Sequence, residues 1–512
     1  MPTDCNPERE TMTMRNDSNP GVRSGLVAGF MAVAVAVAGC DLTTPNPAQI
    51  EDADIRNPAI LNALLVGAES DYGRGLTQLG GGGLAIASGV LTDELVHSGS
   101  YVGLEGPSWG LAGDHWVEAQ SRWSEPSRGR FTTENAIEVA FDVLTAQDLD
   151  PQSHPGVARV TFFAGMAHRA LGDNFCNVVY DGGPLQPHTD AYPRAIEHFQ
   201  NTITRAQNRI GVVQADPELT PGEVQSAVNS MQTLIQASNG AMAQTYLIMA
   251  SEGMGDQYWE LARQHAGMVE TDFVFSFTMV SGDRNSNRIP AWTRSRTETT
   301  MWGTPFADWG LNVDDPAAGG DPRVPYETPM DAGEFERAHD NRRPAWMQRK
   351  YTSVGNNLPL VKGTEMRLIE AEVALAREGD IQTMVNRINE VRAHHNEAAP
   401  GWWRDLLGPD PLEMLEAGTD VGEAWVTLMR ERGIELYLEV RRLSDLRRWQ
   451  NTPGRDFVPF EVVRRDAGTS DPWADQKVWV YSRERGETVI PPNEMCLQVS
   501  RDEKSSNPNI GG

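Results

Sequence analysis

The chain has 512 residues, and 71 Asp and Glu against 44 Lys and Arg give a formal net charge of −27. That balance argues against nucleic acid and anionic lipid surfaces as partners, because both need basic protein surface. Its 4 cysteines form no closely spaced pairs, which excludes thiolate zinc chemistry.

In chain order, the first element is an apolar run from Leu26 to Gly39, preceded by Arg15 and Arg23. The run is shorter than the ~20 residues that a membrane-spanning helix needs. A positive flank, a short apolar core and small residues before a cut site read as a secretory signal peptide over 1–39, with Met14 as a plausible true start. Val37, Ala38, Gly39 and Cys40 resemble a bacterial lipobox, in which the thiol is lipidated and becomes the new N-terminus; a chance cysteine after a secretory peptide is the alternative. Residues 40–58 then form the lipidated cysteine and a tether, held extended by Pro45 and Pro47. The motif leaves open which membrane is meant. The remainder, 59–512, is expected to be a single domain.

The periodicity that follows is helical. Val160, Phe163, Ala167 and Leu171 mark one helix, closed by Gly172 and Asp173, and Ile196, Phe199, Ile203 and Ile210 mark the next after a loop to Pro193. Thr245 to Met254 precede Gly255 and Asp256, and Tyr258, Leu261, Ala262 and Val269 follow. Met366, Ile369, Val373 and Ala376 are separated from Ile381, Met384, Val385, Ile388 and Val391 by Gly379 and Asp380. A glycine closing one helix and an aspartate capping the next is a helical-hairpin grammar. Three such units predict a mainly α chain of tetratricopeptide-like hairpins, with unrelated helical pairs in a bundle as the alternative. The spacing predicts one further helix over 431–449, with Arg432–Glu435, Glu439–Arg442 and Arg441–Asp445 as ion pairs along it. Short strands are expected at Lys477–Tyr481 and Thr488–Ile490.

Two stretches, near 72–130 and 273–351, read as loop-rich insertions, and long loops within a compact chain are usually functional. They hold many of the 14 tryptophans. Tyr101, Trp109, Trp116 and Trp123 lie in the first, and Trp292, Trp302 and Trp309 in the second. Flat rings stack on the apolar C–H faces of sugars while neighbouring polar groups bond the hydroxyls, so Tyr101, Trp109, Trp116, Trp292, Trp302 and Trp309 are the candidate ligand-binding residues. The competing expectation is that half of them anchor loops to the scaffold. Trp402 and Trp403 form either a further platform or a helix cap. No nucleophile elbow, HExxH or Walker loop occurs, and Gly80–Gly83 lacks the lysine of a phosphate cradle. Arg288 and Arg294 stand where an EF-hand beginning at Asp283 needs glycine and an acid. His394 and His395 point to different faces of a helix. Neither enzyme activity, metal nor cofactor is expected from these motifs. The spacing of Cys176 and Cys496 leaves open whether they pair.

The segment Glu431–Trp449 resembles the C-terminal signature of the SusD/RagB family of nutrient-binding outer-membrane lipoproteins, at Glu431, Arg432, Glu435, Leu436, Glu439, Arg442, Asp445, Leu446, Arg448 and Trp449. Val440 stands where the family usually has glycine, a departure expected to alter helix packing and not ligand binding. Met366–Glu372 with Asn389–Arg392, Phe163–Pro184, and Val489–Glu494 with Asn507 and Pro508 resemble other family segments in the same order. The resemblance implies four tetratricopeptide-like hairpins with a loop-rich, ligand-carrying region. It also implies a surface lipoprotein that passes oligosaccharides, or in some members peptides, to a SusC-like TonB-dependent β-barrel transporter. Readings from other classes are a tetratricopeptide-type scaffold lipoprotein in envelope assembly and a secreted hydrolase, which needs a paired-carboxylate cleft.

Overall fold

A computed structural model describes residues 56–77, 83–108, 110, 112–116, 118–282, 285–451, 461–464, 477–480 and 495–510. The signal peptide, Cys40, Trp109 and the strand expected at 488–490 lie outside the described residues. Every described residue falls within one unit, Ala53–Gly512.

The helices run α1 (Leu61–Thr77), α2 (Gly83–Leu91), α3 (Val102–Ser108), α4 (Ala119–Ala146), α5 (Pro155–Asn174), α6 (Ala191–Ala215), α7 (Pro221–Ser251) and α8 (Gln257–Ala266). After α9 (Pro305–Trp309) come α10 (Gly363–Glu378), α11 (Ile381–Glu397), α12 (Gly401–Leu407), α13 (Val421–Glu435), α14 (Arg442–Asn451) and α15 (Arg501–Ser506). Side-chain caps explain several starts. Thr220 and Glu223 make a capping box ahead of α7, and Asp380 accepts from the Thr383 backbone N–H at 3.0 Å ahead of α11. Gly379, at φ 63, closes α10 in the left-handed conformation that glycine tolerates.

The protein is mainly α. Its long helices form pairs: α1 with α4, α5 with α6, α7 with α8, and α10 with α11. Each pair packs on the next through α4 against α5, α6 against α7 and α8 against α10, as in a tetratricopeptide stack. Three pairs coincide with the helix–turn–helix units read from periodicity. The first escaped that reading because residues 78–118 separate its two helices.

Two expectations are corrected here. Gly172 and Asp173 do not end a helix: Asp173 binds Arg169 one turn back at 2.7 Å, and α5 continues to Asn174. Residues 72–130 are not a long irregular stretch, because the end of α1, α2, α3 and the start of α4 occupy most of them. Two of the glycines there allow α1 and α4 to approach closely: a Cβ at Gly75 would lie 3.0 Å from the Pro126 Cα, and one at Gly129 2.9 Å from the Tyr72 Cα.

Short strands gather the irregular parts. β1 (Val96–His97) pairs antiparallel with β5 (Thr299–Thr300), joining the two insertions. Between them in sequence lie β2 (Asn177–Val178) and β3 (Gln186–Pro187), paired together, and β4 (Val274–Phe277). β6 (Gly310–Asn312) runs parallel to β7 (Asp321–Glu327), β8 (Met330–Asp331) pairs with β9 (Glu334–Phe335), and β10 (Met347–Gln348) pairs with β7. β11 (Leu358–Lys362) returns along β4, placing Phe277 opposite Leu358, and leads directly into α10. β12 (Glu461–Arg464) pairs with β13 (Lys477–Val480), in line with the strand expected at 477–481.

The stretch 431–449 is two helices rather than one. Between α13 and α14 the chain breaks, with Leu438 at φ 55 and Val440 at φ 59. None of the three ion pairs expected along it forms. Arg432 binds Asp445 at 3.0 Å, Arg442 binds Asp93 at 2.6 Å, and Glu439 binds Lys350 at 2.6 Å and Lys362 at 3.0 Å. Arg448 forks onto Glu372, whose carboxylate also accepts from Trp449 at 3.0 Å. The segment's charges therefore pair partly within it, Arg432 reaching Asp445 across the break and Arg448 reaching it within α14, and otherwise with distant elements inside the protein, where an unpaired charge would be costly.

The C-terminus is fastened to the stack. Cys176 and Cys496 form a disulfide, Leu497 N donates to Asn174 O at 2.7 Å, and Cys176 N donates to Leu497 O at 2.9 Å. Among the described residues, no helix is long and apolar enough to cross a membrane.

Candidate functional site

The β1–β5 pairing lays residues 97–101 beside 296–300, and Asp340 N reaches Ser98 O at 2.8 Å. At the centre of this layer the Glu298 side chain is fully buried. Its Oε2 accepts from the backbone N–H of Ser100 at 2.9 Å and of Tyr101 at 3.1 Å. Its Oε1 accepts from Arg296 at 3.1 Å and lies 3.9 Å from His339 Nε2. Arg296 and His339 each keep nearly half of their side chains exposed, at 44% and 48%. A buried carboxylate thus pins the backbone under Tyr101 and holds two exposed hydrogen-bonding groups beside it.

Tyr101 is half-buried and meets Trp292 edge-on at 4.9 Å, with the Arg296 guanidinium 5.7 Å from its ring. Nearby, burial pushes the His97 pKa down to about 4 and Arg343 adds to the shift, so His97 is neutral at neutral pH.

The candidate aromatics divide. Trp292 is fully buried beneath Tyr101 and has no face for a ligand, so its expected binding role is overturned: its ring lies under Tyr101 and Arg296 rather than on the surface. Trp123 is likewise a core anchor, edge-on to Phe175 at 5.1 Å with its N–H donating to Glu503 at 3.3 Å. Trp116, Trp302 and Trp309 are half-buried. Trp116 rests against Gly106 and beside His115. Trp302 follows β5, its backbone N–H on the Thr300 hydroxyl at 3.1 Å. Trp309 lies 5.0 Å from Phe306 with Arg430 at 5.7 Å. Trp402 is exposed, whereas Trp403 is buried against His395, ring to ring at 6.3 Å.

Sequence reasoning missed a second aromatic cluster. Half-buried Trp346 stacks on Tyr326 at 5.6 Å and meets exposed Phe335 at 5.8 Å. It belongs to the same layer, because Met301 N donates to Trp346 O at 3.0 Å. The only signal for it was the enrichment of aromatics in 273–351; Trp346 itself has no local motif. Also unforeseen is the convergence of Glu134, His168 and His198, whose ligand-type atoms all lie within 4.8 Å of one another. Three helices contribute one residue each, so no sequence spacing announces it. His395, by contrast, serves structure: its Nε2 lies 2.8 Å from Glu435. Burial pushes the Glu435 pKa up, but His395, Lys362 and Arg323 outweigh it and hold the carboxyl well below the usual carboxylate range.

The SusD family's sequence model matches residues 341–511, which include the whole of 431–449. No curated protein matches the chain. Solved structures do. A SusD superfamily protein from Bacteroides vulgatus is 13% identical with a TM-score of 0.57, covering 89% of this chain and 98% of its own. One from Parabacteroides distasonis is 13% identical with a TM-score of 0.56, covering 90% and 99%. A SusD-like carbohydrate binding protein from Bacteroides vulgatus is 12% identical with a TM-score of 0.51, covering 88% and 97%. At these identities the structural likeness speaks for the fold, and the matched C-terminal sequence speaks for descent. With the α13–α14 signature inside that match and the hairpin stack around it, the C-terminal third of the chain, residues 341–511, matches the SusD family, and the chain has the fold of solved SusD-like proteins.

Proposed function

We propose that the chain is a non-catalytic cell-surface lipoprotein, anchored in the outer membrane through Cys40. On this reading it binds an oligosaccharide on the β1–β5 layer and delivers it to a SusC-like TonB-dependent transporter. The observation that carries the reading is a set of aromatic rings left partly open to solvent on one layer, beside exposed hydrogen-bonding groups. Tyr101, Trp302 and Trp346 offer apolar faces for sugar rings, and Arg296 and His339 can bond hydroxyls. Trp116 and Trp309 extend the candidate surface, and Trp109 remains part of the proposal although it lies outside the described residues. The SusD family match over residues 341–511 supports the same direction, and one protein of similar fold is described as carbohydrate binding.

Titration calorimetry of the soluble domain against panels of oligosaccharides and peptides tests this reading. A combined Tyr101→Ala and Trp302→Ala variant is expected to lose at least tenfold in affinity for the selected glycan with little change in Tm. Undiminished glycan binding by that variant moves the site elsewhere, and selection of peptides alone moves the ligand class. Mild-detergent capture of the native protein from outer membranes is expected to recover a stoichiometric β-barrel. Recovery with envelope-assembly proteins and no barrel favours the scaffold reading instead.

A further inference from the structure

We propose that Glu134, His168 and His198 bind a divalent transition-metal ion, with zinc the best-fitting occupant, and that the ion ties α4, α5 and α6 together. This site is separate from the aromatic layer and does not depend on the transport reading.

Glu134 comes from α4, His168 from α5 and His198 from α6. The Nε2 of His168 lies 2.9 Å and that of His198 3.4 Å from the same Glu134 oxygen, Oε1. All the ligand-type atoms fall within 4.8 Å of one another. Metal–ligand bonds of about 2.0–2.2 Å in tetrahedral array put donors roughly 3.3–3.6 Å apart, a spacing that the His198–Glu134 separation meets and the His168–Glu134 separation approaches. The two imidazoles lie nearly parallel, 5.3 Å apart at 19°, presenting their Nε2 atoms to one point.

The surroundings suit ligation. Arg130 donates to the other Glu134 oxygen, Oε2, at 2.8 Å, fixing the carboxylate and leaving Oε1 to face the imidazoles. The same guanidinium is neutralised further by Asp181 at 2.8 Å. His168 Nδ1 lies 3.4 Å from the Tyr180 hydroxyl. With the proton on Nδ1 directed at that hydroxyl, Nε2 presents its lone pair to the metal, which is how ligating histidines are commonly held. His168 is fully buried, whereas the His198 and Glu134 side chains are 19% and 30% exposed, so an ion has a way in from one side. Two neutral imidazoles and one carboxylate select a borderline cation; calcium and magnesium require several oxygen donors that this cluster lacks. A purely hydrogen-bonded cluster is the competing description, with both Nε2 atoms protonated and sharing one carboxylate oxygen.

The test is a titration of Zn²⁺ into chelator-treated full-length domain, read by calorimetry and by metal content after dialysis. A parallel Co²⁺ titration reads coordination from visible d–d absorption. The expected result is one ion per chain, a rise in Tm with Zn²⁺ and its reversal by EDTA. His198→Ala, at the more exposed of the two histidines, is expected to lose at least tenfold in affinity and to abolish the Co²⁺ spectrum. Glu134→Gln provides a second variant should the first unfold, and circular dichroism checks the fold of each. A His394→Ala, His395→Ala double variant is expected to bind as the parent does. Absence of stoichiometric binding, or binding that both cluster variants retain, overturns the proposal.

Discussion

Val440 places a β-branched side chain at φ 59, a region that costs L-residues roughly 1–2 kcal/mol. Glycine pays almost nothing there, which explains physically why the family's pattern has glycine at this point. Val440→Gly is expected to relieve that strain but to forfeit a buried side chain, for a net loss of about 1 kcal/mol measured by urea unfolding. Two residues earlier, the Leu438 N–H donates to Glu94 Oε1 at 2.6 Å. Burial pushes the Glu94 pKa up to about 8 against the pull of that N–H. The native state then holds a proton that the unfolded state releases between about pH 4.5 and 8, so this group's contribution is present below that window and is lost as pH rises through 8. The slope from one such group is at most ~1.4 kcal/mol per pH unit. Glu94→Gln is expected to flatten the decline in urea midpoint between pH 6 and 8; an unchanged slope assigns the decline to other groups. At the same scale, Trp292→Ala is expected to cost about 3–5 kcal/mol, unlike changes at Tyr101 or Trp302, because its ring fills a fully buried space.

At the scale of elements, the hairpins depend on close helix contact. Gly165 in α5 faces Phe199 in α6, and a Cβ added there would lie 2.5 Å from the ring. Gly165→Ala is expected to destabilise the protein by about 1–3 kcal/mol through overpacking, although alanine is the better helix former. A gain in Tm would mean that the α5–α6 contact can relax. The α13–α14 segment shows how a charged sequence becomes a core element. Its acids and bases meet Arg323, Lys350, Lys362 and Glu372, all outside the segment. Helical spacing suggested pairs within it, but the break at 436–441 turns those side chains toward β7, β11 and α10. The break has a physical gain: it delivers the Leu438 N–H to Glu94 and brings both Glu435 and Glu439 to Lys362. The signature is thus a framework of buried ion pairs rather than a ligand site.

Across the whole molecule, the disulfide closes a loop of 320 residues and holds the C-terminal segment beside the end of α5, and Lys504 further along reaches Asp114 ahead of α4 at 3.0 Å. Cys176→Ser is expected to lower unfolding free energy by about 2–5 kcal/mol, checked by denaturant titration under non-reducing conditions. Helix content and three of the four hairpins were legible in the amino-acid order because the apolar period acts within a few residues; the glycine stop and aspartate cap hold only at Gly379 and Asp380, whereas Gly172 and Asp173 lie within α5 and Asp256 makes no side-chain cap. The signature in 431–449 and the aromatic richness of 273–351 were legible as well. Tertiary structure alone decided which rings stay open to solvent: Tyr101 and Trp292 are alike in sequence context, yet one lies above the other. It alone decided the partners of the buried charges, since Arg442 and Asp93 are separated by 349 positions. It alone brought Glu134, His168 and His198 together from three helices. The physical reason is common to all three: periodicity and capping are short-range, whereas burial and charge pairing depend on what the stack places alongside.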